Sequence, residues 1–98
     1  MLKTQKQPLN TAQIVYNMIL KFKCNPLKTF KYDKSSTLTI TKLSGDEFLI
    51  VSKKSRMKVV LEKDRSSVRI TEYQGKKTND FTQRAVLSYL YNLLSRIK

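Results

Sequence analysis

The residues of this sequence that are equipped for chemistry are overwhelmingly cations. Nine fall between positions 53 and 77: Lys53, Lys54, Arg56, Lys58, Lys63, Arg65, Arg69, Lys76 and Lys77. Only Glu62, Asp64 and Glu72 oppose them, which leaves 9 − 3 = +6 over that stretch. Ammonium and guanidinium groups at this density hold phosphate oxygens through charge-assisted hydrogen bonds, and each such contact adds salt-dependent affinity. Other chemistry is poorly supplied. With no histidine the chain has no proton shuttle near neutral pH, and its seven carboxylates are scattered singles or turn pairs such as Asp46-Glu47. The lone cysteine, Cys24, has no partner for an internal disulfide, too few companions for a zinc site and no base to activate it. It reads as a small structural residue near the end of the first helix. Gly45 and Gly75 each sit in a turn and form no phosphate loop. The expectation is a binding protein that is not an enzyme, with no catalytic residues, no cofactor and no metal.

The whole chain repeats the imbalance. Lys and Arg number 20 against 7 Asp and Glu in 98 residues, a formal charge of +13. Such a fold repels itself and calls for an anionic partner. At 40% apolar residues in periodic runs, it is a folded polycation of one domain rather than a disordered basic tail. The apolar runs are far shorter than the roughly 20 residues that span a bilayer, and MLKTQKQPLN lacks the apolar stretch of a signal peptide. A soluble, intracellular protein is expected.

Residues 1–8 are polar and basic without periodicity, and read as a flexible arm preceding a compact domain at 9–98. Asn10 with Gln13 forms a capping box, Leu9 and Ile14 a hydrophobic staple, and Val15, Met18, Ile19 and Phe22 continue at helical spacing to about Lys23. Pro26 then biases Asn25 away from helix. From Lys28 to Tyr73 the period changes to 2. Strands are expected at Thr29–Asp33, Thr37–Lys42, Glu47–Lys53, Met57–Glu62 and Ser67–Tyr73, with turns at Ser44-Gly45-Asp46, Lys53–Arg56 and Lys63–Ser66. Gln74–Thr78 leads as a loop into a last helix capped by Asp80 with Gln83, whose stripe is Val86, Leu87, Leu90, Leu93, Leu94 and Ile97. The fold class is α+β: helix, four or five antiparallel strands, helix, with both helices on one face of a single sheet.

That architecture leaves the other sheet face open. If Met57, Val59 and Leu61 face the helices, Lys58 points outward, and the same alternation puts Arg69, Thr71 and Tyr73 opposite Val68 and Ile70. The candidate site is therefore Lys53, Lys54, Arg56, Lys58, Arg65, Arg69, Tyr73, Lys76 and Lys77. Phe22, Phe30, Phe48 and Phe81 are expected in the core, and Tyr16, Tyr89 and Tyr91 at the helix rims. Lysines at turns also keep small proteins in solution and blunt sheet edges, but +13 exceeds that need. Nucleic acid, held with little sequence specificity, is the favoured partner. The alternatives are anionic lipid headgroups at a membrane surface, an acidic protein partner, or a homodimer through the open face or a sheet edge.

Residues 57–97, MKVVLEKDRSSVRITEYQGKKTNDFTQRAVLSYLYNLLSRI, resemble the closing part of the kinase-associated C-terminal domain. Two strands, a short loop with a Gly, an aromatic at the helix start and an Ile/Leu-rich final helix follow in that order, with Phe81 in the aromatic position. The resemblance implies a compact domain that binds acidic phospholipid headgroups through basic surface residues. The helix–sheet–helix order is also similar to the small subunits that bind Alu-type RNA in the signal recognition particle, where the open sheet face holds RNA.

Overall fold

A computed structural model of the chain describes residues 10–23 and 26–97. The expected arm at 1–8, the staple residue Leu9 and Cys24 lie outside the described residues. The elements run α1 (Thr11–Phe22), β1 (Leu27–Tyr32), β2 (Ser36–Ser44), β3 (Glu47–Ser52), β4 (Arg56–Glu62), a 3-10 turn (Lys63–Arg65), β5 (Ser67–Tyr73), β6 (Lys76–Lys77) and α2 (Asp80–Ser95). The six strands form one antiparallel meander in sequence order. The fold is α+β as expected, with six strands in place of four or five. The extra strand is Lys76–Lys77, which pairs with Tyr73 and Glu72. Gln74 and Gly75 both have positive φ, 55° and 81°, the geometry of a two-residue hairpin turn. A strand of two lysines has no alternation to read, so the sequence shows only a loop there.

Helix α1 begins with the capping box. The Asn10 side chain accepts from the Gln13 N–H at 2.9 Å, and the Gln13 side chain accepts from the Asn10 N–H at 3.4 Å. Helix α2 starts one residue earlier than its carboxylate suggests. Asn79, not Asp80, is the cap, and it exchanges hydrogen bonds of 2.9 Å with Thr82. Gln83 is thereby free for another partner. No helix among the described residues is long and apolar enough to cross a membrane.

One face of the sheet is buried. Leu38, Ile40, Phe48, Ile50, Met57, Val59, Leu61, Val68 and Ile70 join Val15 and Ile19 of α1 and Val86, Leu90, Leu93 and Leu94 of α2 in a single core. Leu90 and Ile70 are fully enclosed. Burying a leucine or isoleucine stabilises by about 1.5–3 kcal/mol, so this layer carries the fold. Helix α1 packs chiefly on β5 and α2, not on the adjacent β1. Helix α2 starts beside β5 and ends at β1, where Ile97 bridges to Tyr32. Of the phenylalanines, Phe48 is buried, and Phe22 and Phe30 are half-buried with ring centroids 4.7 Å apart. Phe81 is the exception to the core expectation: on the first turn of α2 it is 89% exposed, because its side of the helix faces away from the sheet. Tyr16, expected at a rim, is buried.

A bulge in β5 decides which side chains share a face. Lys58 pairs with Glu72 and Val59 with Ile70, so Thr71 is the additional residue. One extra residue shifts the two-residue alternation, and everything beyond it changes side. Tyr73 therefore pairs with Met57 on the helix side and packs edge-on against Tyr89, centroids 6.4 Å apart. The expectation that Tyr73 shares the open face with Lys58 and Arg69 is corrected.

Candidate functional site

Residues directly opposite each other on paired strands point to the same face, so the register fixes the open surface. One row across it reads Leu27, Thr41, Leu49, Lys58, Glu72 and Lys77. The next reads Thr29, Thr39, Val51 and Arg56. Its middle is hydroxyl and aliphatic, with Thr29 and Thr39 oxygens 3.2 Å apart, and its cations stand toward the margins. Lys58 and Arg69 do face this way, but each has a carboxylate. Lys58 lies 3.7 Å from Glu72, and Arg69 lies 3.3 Å from Glu62. Exposed pairs of this kind are worth only about 0.2–1 kcal/mol, so an incoming phosphate can compete, at a cost.

Most of the sheet's unpaired cations lie elsewhere. In a meander, alternate turns fall at the same end, so the β1–β2, β3–β4 and β5–β6 turns are neighbours. Gln74 ties two of them together. Its N–H donates to the Arg56 carbonyl at 2.8 Å, its Oε1 accepts from the Arg56 N–H at 2.9 Å and its Nε2 donates to the Lys54 carbonyl at 2.9 Å. Lys53, Lys54, Arg56 and Lys76 thus gather at one end, with Lys77 one residue further along β6. None of the five forms an ion pair among the described residues. Lys31 and Lys34 belong to the same end, also without ion pairs, and Arg96 reaches it from beyond α2, 3.8 Å from Asp33.

The Lys53-Lys54 turn is held from below. Ser52 and Ser55 are buried, their hydroxyls 2.6 Å apart, and the Ser52 N–H donates to the Ser55 carbonyl at 2.8 Å. Tyr89 of α2 donates its hydroxyl to Ser55 at 3.2 Å. Neither lysine adopts the left-handed backbone usual in two-residue hairpins, so this hydroxyl cluster supplies the fixation. Both ammonium groups project from a rigid base. Arg56 opens β4 rather than closing the turn, which puts it on the open face at that same end.

The opposite end is balanced. Asp46, Glu47, Glu62 and Asp64 lie there with Lys28, Lys42, Lys63 and Arg65; Lys63 stands 3.2 Å from Asp46 and Arg65 3.5 Å from Glu62, while Lys28 and Lys42 form no ion pair among the described residues. Arg65 is thus separated from the other candidate residues, because the β4–β5 connection lies at the far end of the meander. A groove of about 420 Å³ beside the start of α2 carries Lys58, Arg69 and Lys77 against Glu47, Glu72 and Asp80, so its side chains sum to zero. Of the nine expected site residues, five remain together and unpaired, Lys58 and Arg69 are paired on the open face, Arg65 is remote and Tyr73 faces the helices. Lys31, Lys34 and Arg96 were missed. For the first two a signal existed, since a meander sends the end of β1 and the turn at 33–35 to the same end as Lys53-Lys54.

Comparisons with protein-family models, with curated proteins and with solved structures found no match to this chain.

Proposed function

We propose that this protein is a non-catalytic nucleic-acid-binding module that grips phosphates with the three-turn end of its sheet. The observation that carries this reading is the segregation of charge. Lys31, Lys34, Lys53, Lys54, Arg56 and Lys76 stand together without ion pairs, while Asp46, Glu47, Glu62 and Asp64 occupy the other end. A scattered solvating charge would not separate in this way, and a polyanion approaching such a molecule meets the cationic end first. Arg56 and Lys77 extend the contact onto the open face, whose threonines offer hydroxyls to phosphate or sugar. Few side chains there suit base edges, so sequence preference is weak.

Phe81 supports a second reading, attachment to anionic lipid headgroups, because an exposed aromatic is the kind of wedge membrane-surface proteins insert. Its position argues against that use. The surface around it is locally neutral, with Arg84 set against Asp80, whereas Lys53, Lys54 and Arg96 meet the other end of α2, roughly 20 Å along the helix at 1.5 Å per residue.

The test is side-by-side titration of duplex DNA, single-stranded RNA and acidic vesicles across a range of salt. Binding to nucleic acid whose log affinity falls linearly with log salt is expected. Preference for vesicles, or affinity that survives about 1 M salt, where the Debye length is near 3 Å, would overturn the proposal.

A further inference from the structure

We propose that the hollow beneath the end of α2 seats a terminal phosphate of the bound nucleic acid, which rests on the reading above and specifies it. The hollow holds about 250 Å³ and is walled by the β1–β2 turn, the Lys53-Lys54 turn and the last turns of α2. Lys53, Lys54 and Arg96 line it against a single carboxylate, Asp33, so its side chains sum to 3 − 1 = +2. The C-terminus of α2 adds about half a negative charge, which the three cations exceed. Tyr32 lines the same hollow and is only 6% exposed, yet among the described residues its hydroxyl has no hydrogen-bond partner. Its neighbour Tyr89 engages Ser55. Buried phenols ordinarily find a partner, and a ligand oxygen at this depth supplies one. Ser36 offers a second hydroxyl.

The dimensions and charge distinguish an end from a middle. A phosphomonoester carries about 1.5–2 negative charges at pH 7 and three acceptor oxygens. A phosphodiester carries one charge and continues the strand in both directions. Walls on three sides and a surplus of two positive charges match the former.

The experiment uses the full chain and three single strands of one sequence, bearing a 5′-hydroxyl, a 5′-phosphate or a 3′-phosphate, read by fluorescence anisotropy. A phosphorylated end is expected to bind roughly tenfold tighter than the unphosphorylated strand, the scale of one charge-assisted hydrogen bond. Tyr32→Phe removes one unpartnered hydroxyl and keeps the packing. It should erase most of that preference and leave affinity for the 5′-hydroxyl strand unchanged. Asp33→Asn should enlarge the preference, and Asn tolerates the left-handed backbone at this position, φ 54°. Equal affinity for all three strands, or a preference untouched by both substitutions, overturns the proposal while the nucleic-acid reading stands. Failure of every strand to bind at low salt overturns that reading itself. Tighter binding to phosphatidic acid vesicles than to phosphorylated strands would assign the hollow to a lipid and overturn the proposal as well.

Discussion

The side-chain amide of Gln83 pairs with both backbone groups of Ile70: its Oε1 accepts from the Ile70 N–H at 3.1 Å, and its Nε2 donates to the Ile70 carbonyl. A side chain of α2 thereby performs the role of the next strand. β6 covers only Glu72 and Tyr73, and Thr78 meets the Thr71 carbonyl with its N–H and the Ile70 carbonyl with its hydroxyl, so without Gln83 the β5 edge would present an unmet Ile70 N–H.

Replacing Gln83 with Ala should therefore destabilise by about 1–3 kcal/mol, the cost of one unsatisfied, partly buried backbone N–H. Glu at this position keeps an acceptor for the Ile70 N–H but sets a carboxylate against the Ile70 carbonyl, and should recover only part of the loss. Urea unfolding measures the loss, and sedimentation should reveal concentration-dependent association in the Ala variant. A variant that melts like the parent and stays dispersed would show that solvent satisfies Ile70.

This pairing also marks where sequence legibility ends. The alternation of Leu38, Ile40, Ile50, Val59 and Leu61 and the stripe through Leu90 and Leu94 were readable because burial imposes period 2 or 3.6 directly. The Asn10–Gln13 box was readable because it is local. The three-residue spacing from Asp80 points to Gln83 as a helix-cap partner, whereas Asn79 with Thr82 takes that role and Gln83 reaches across to another element. The bulge at Thr71 left no trace in composition, and it moved Tyr73 across the sheet. The ion pairs that occupy Lys58 and Arg69 depend on cross-strand register, which periodicity does not supply. The shared end of Lys31, Lys34 and Lys53 follows from meander topology, which the short turns between consecutive strands already imply.

Leu90 and Phe81 provide a paired stability test on one helix. Leu90 is fully enclosed, and Leu90→Ala should cost about 2–5 kcal/mol. Phe81→Ala should change stability by no more than about 0.5 kcal/mol, since surface substitutions away from special contacts stay within that range. Thermal melts of the two proteins compare them directly, and a large loss at Phe81 would contradict its exposure.

Charge reversal should rank the surfaces. Lys53→Glu with Lys54→Glu is expected to weaken strand binding most, because both cations are unpaired and rigidly presented. Lys58→Glu with Arg69→Glu should weaken it less, and Lys63→Glu with Arg65→Glu least. Each lost phosphate contact should lower the log–log salt slope by about 0.7–0.9. If the Lys63 and Arg65 double reversal proves the most damaging, the contact surface lies at the other end.

Acidity should separate the strand from its end. The chain has no histidine, so affinity for an unphosphorylated strand should stay flat between about pH 6 and 8. The advantage of a phosphorylated end should shrink as pH falls through about 6, where the ligand regains its second proton and drops from dianion to monoanion. An advantage undiminished at pH 5 would mean that a single charge is recognised.

The docking of α1 on β5, rather than on the strand that follows it, sets the order of assembly. The meander can close hairpin by hairpin from local contacts, each turn joining strands already made. The first helix cannot bury Val15 and Ile19 until Ser67–Tyr73 exists, so during synthesis it waits while most of the chain emerges. The apolar face of the finished sheet is then only partly covered, by α1, until α2, the last element, lies across it. A chain cut short within α2 would expose Leu38, Ile40 and Ile50 together, which makes the final helix the step that converts a sticky intermediate into a closed protein.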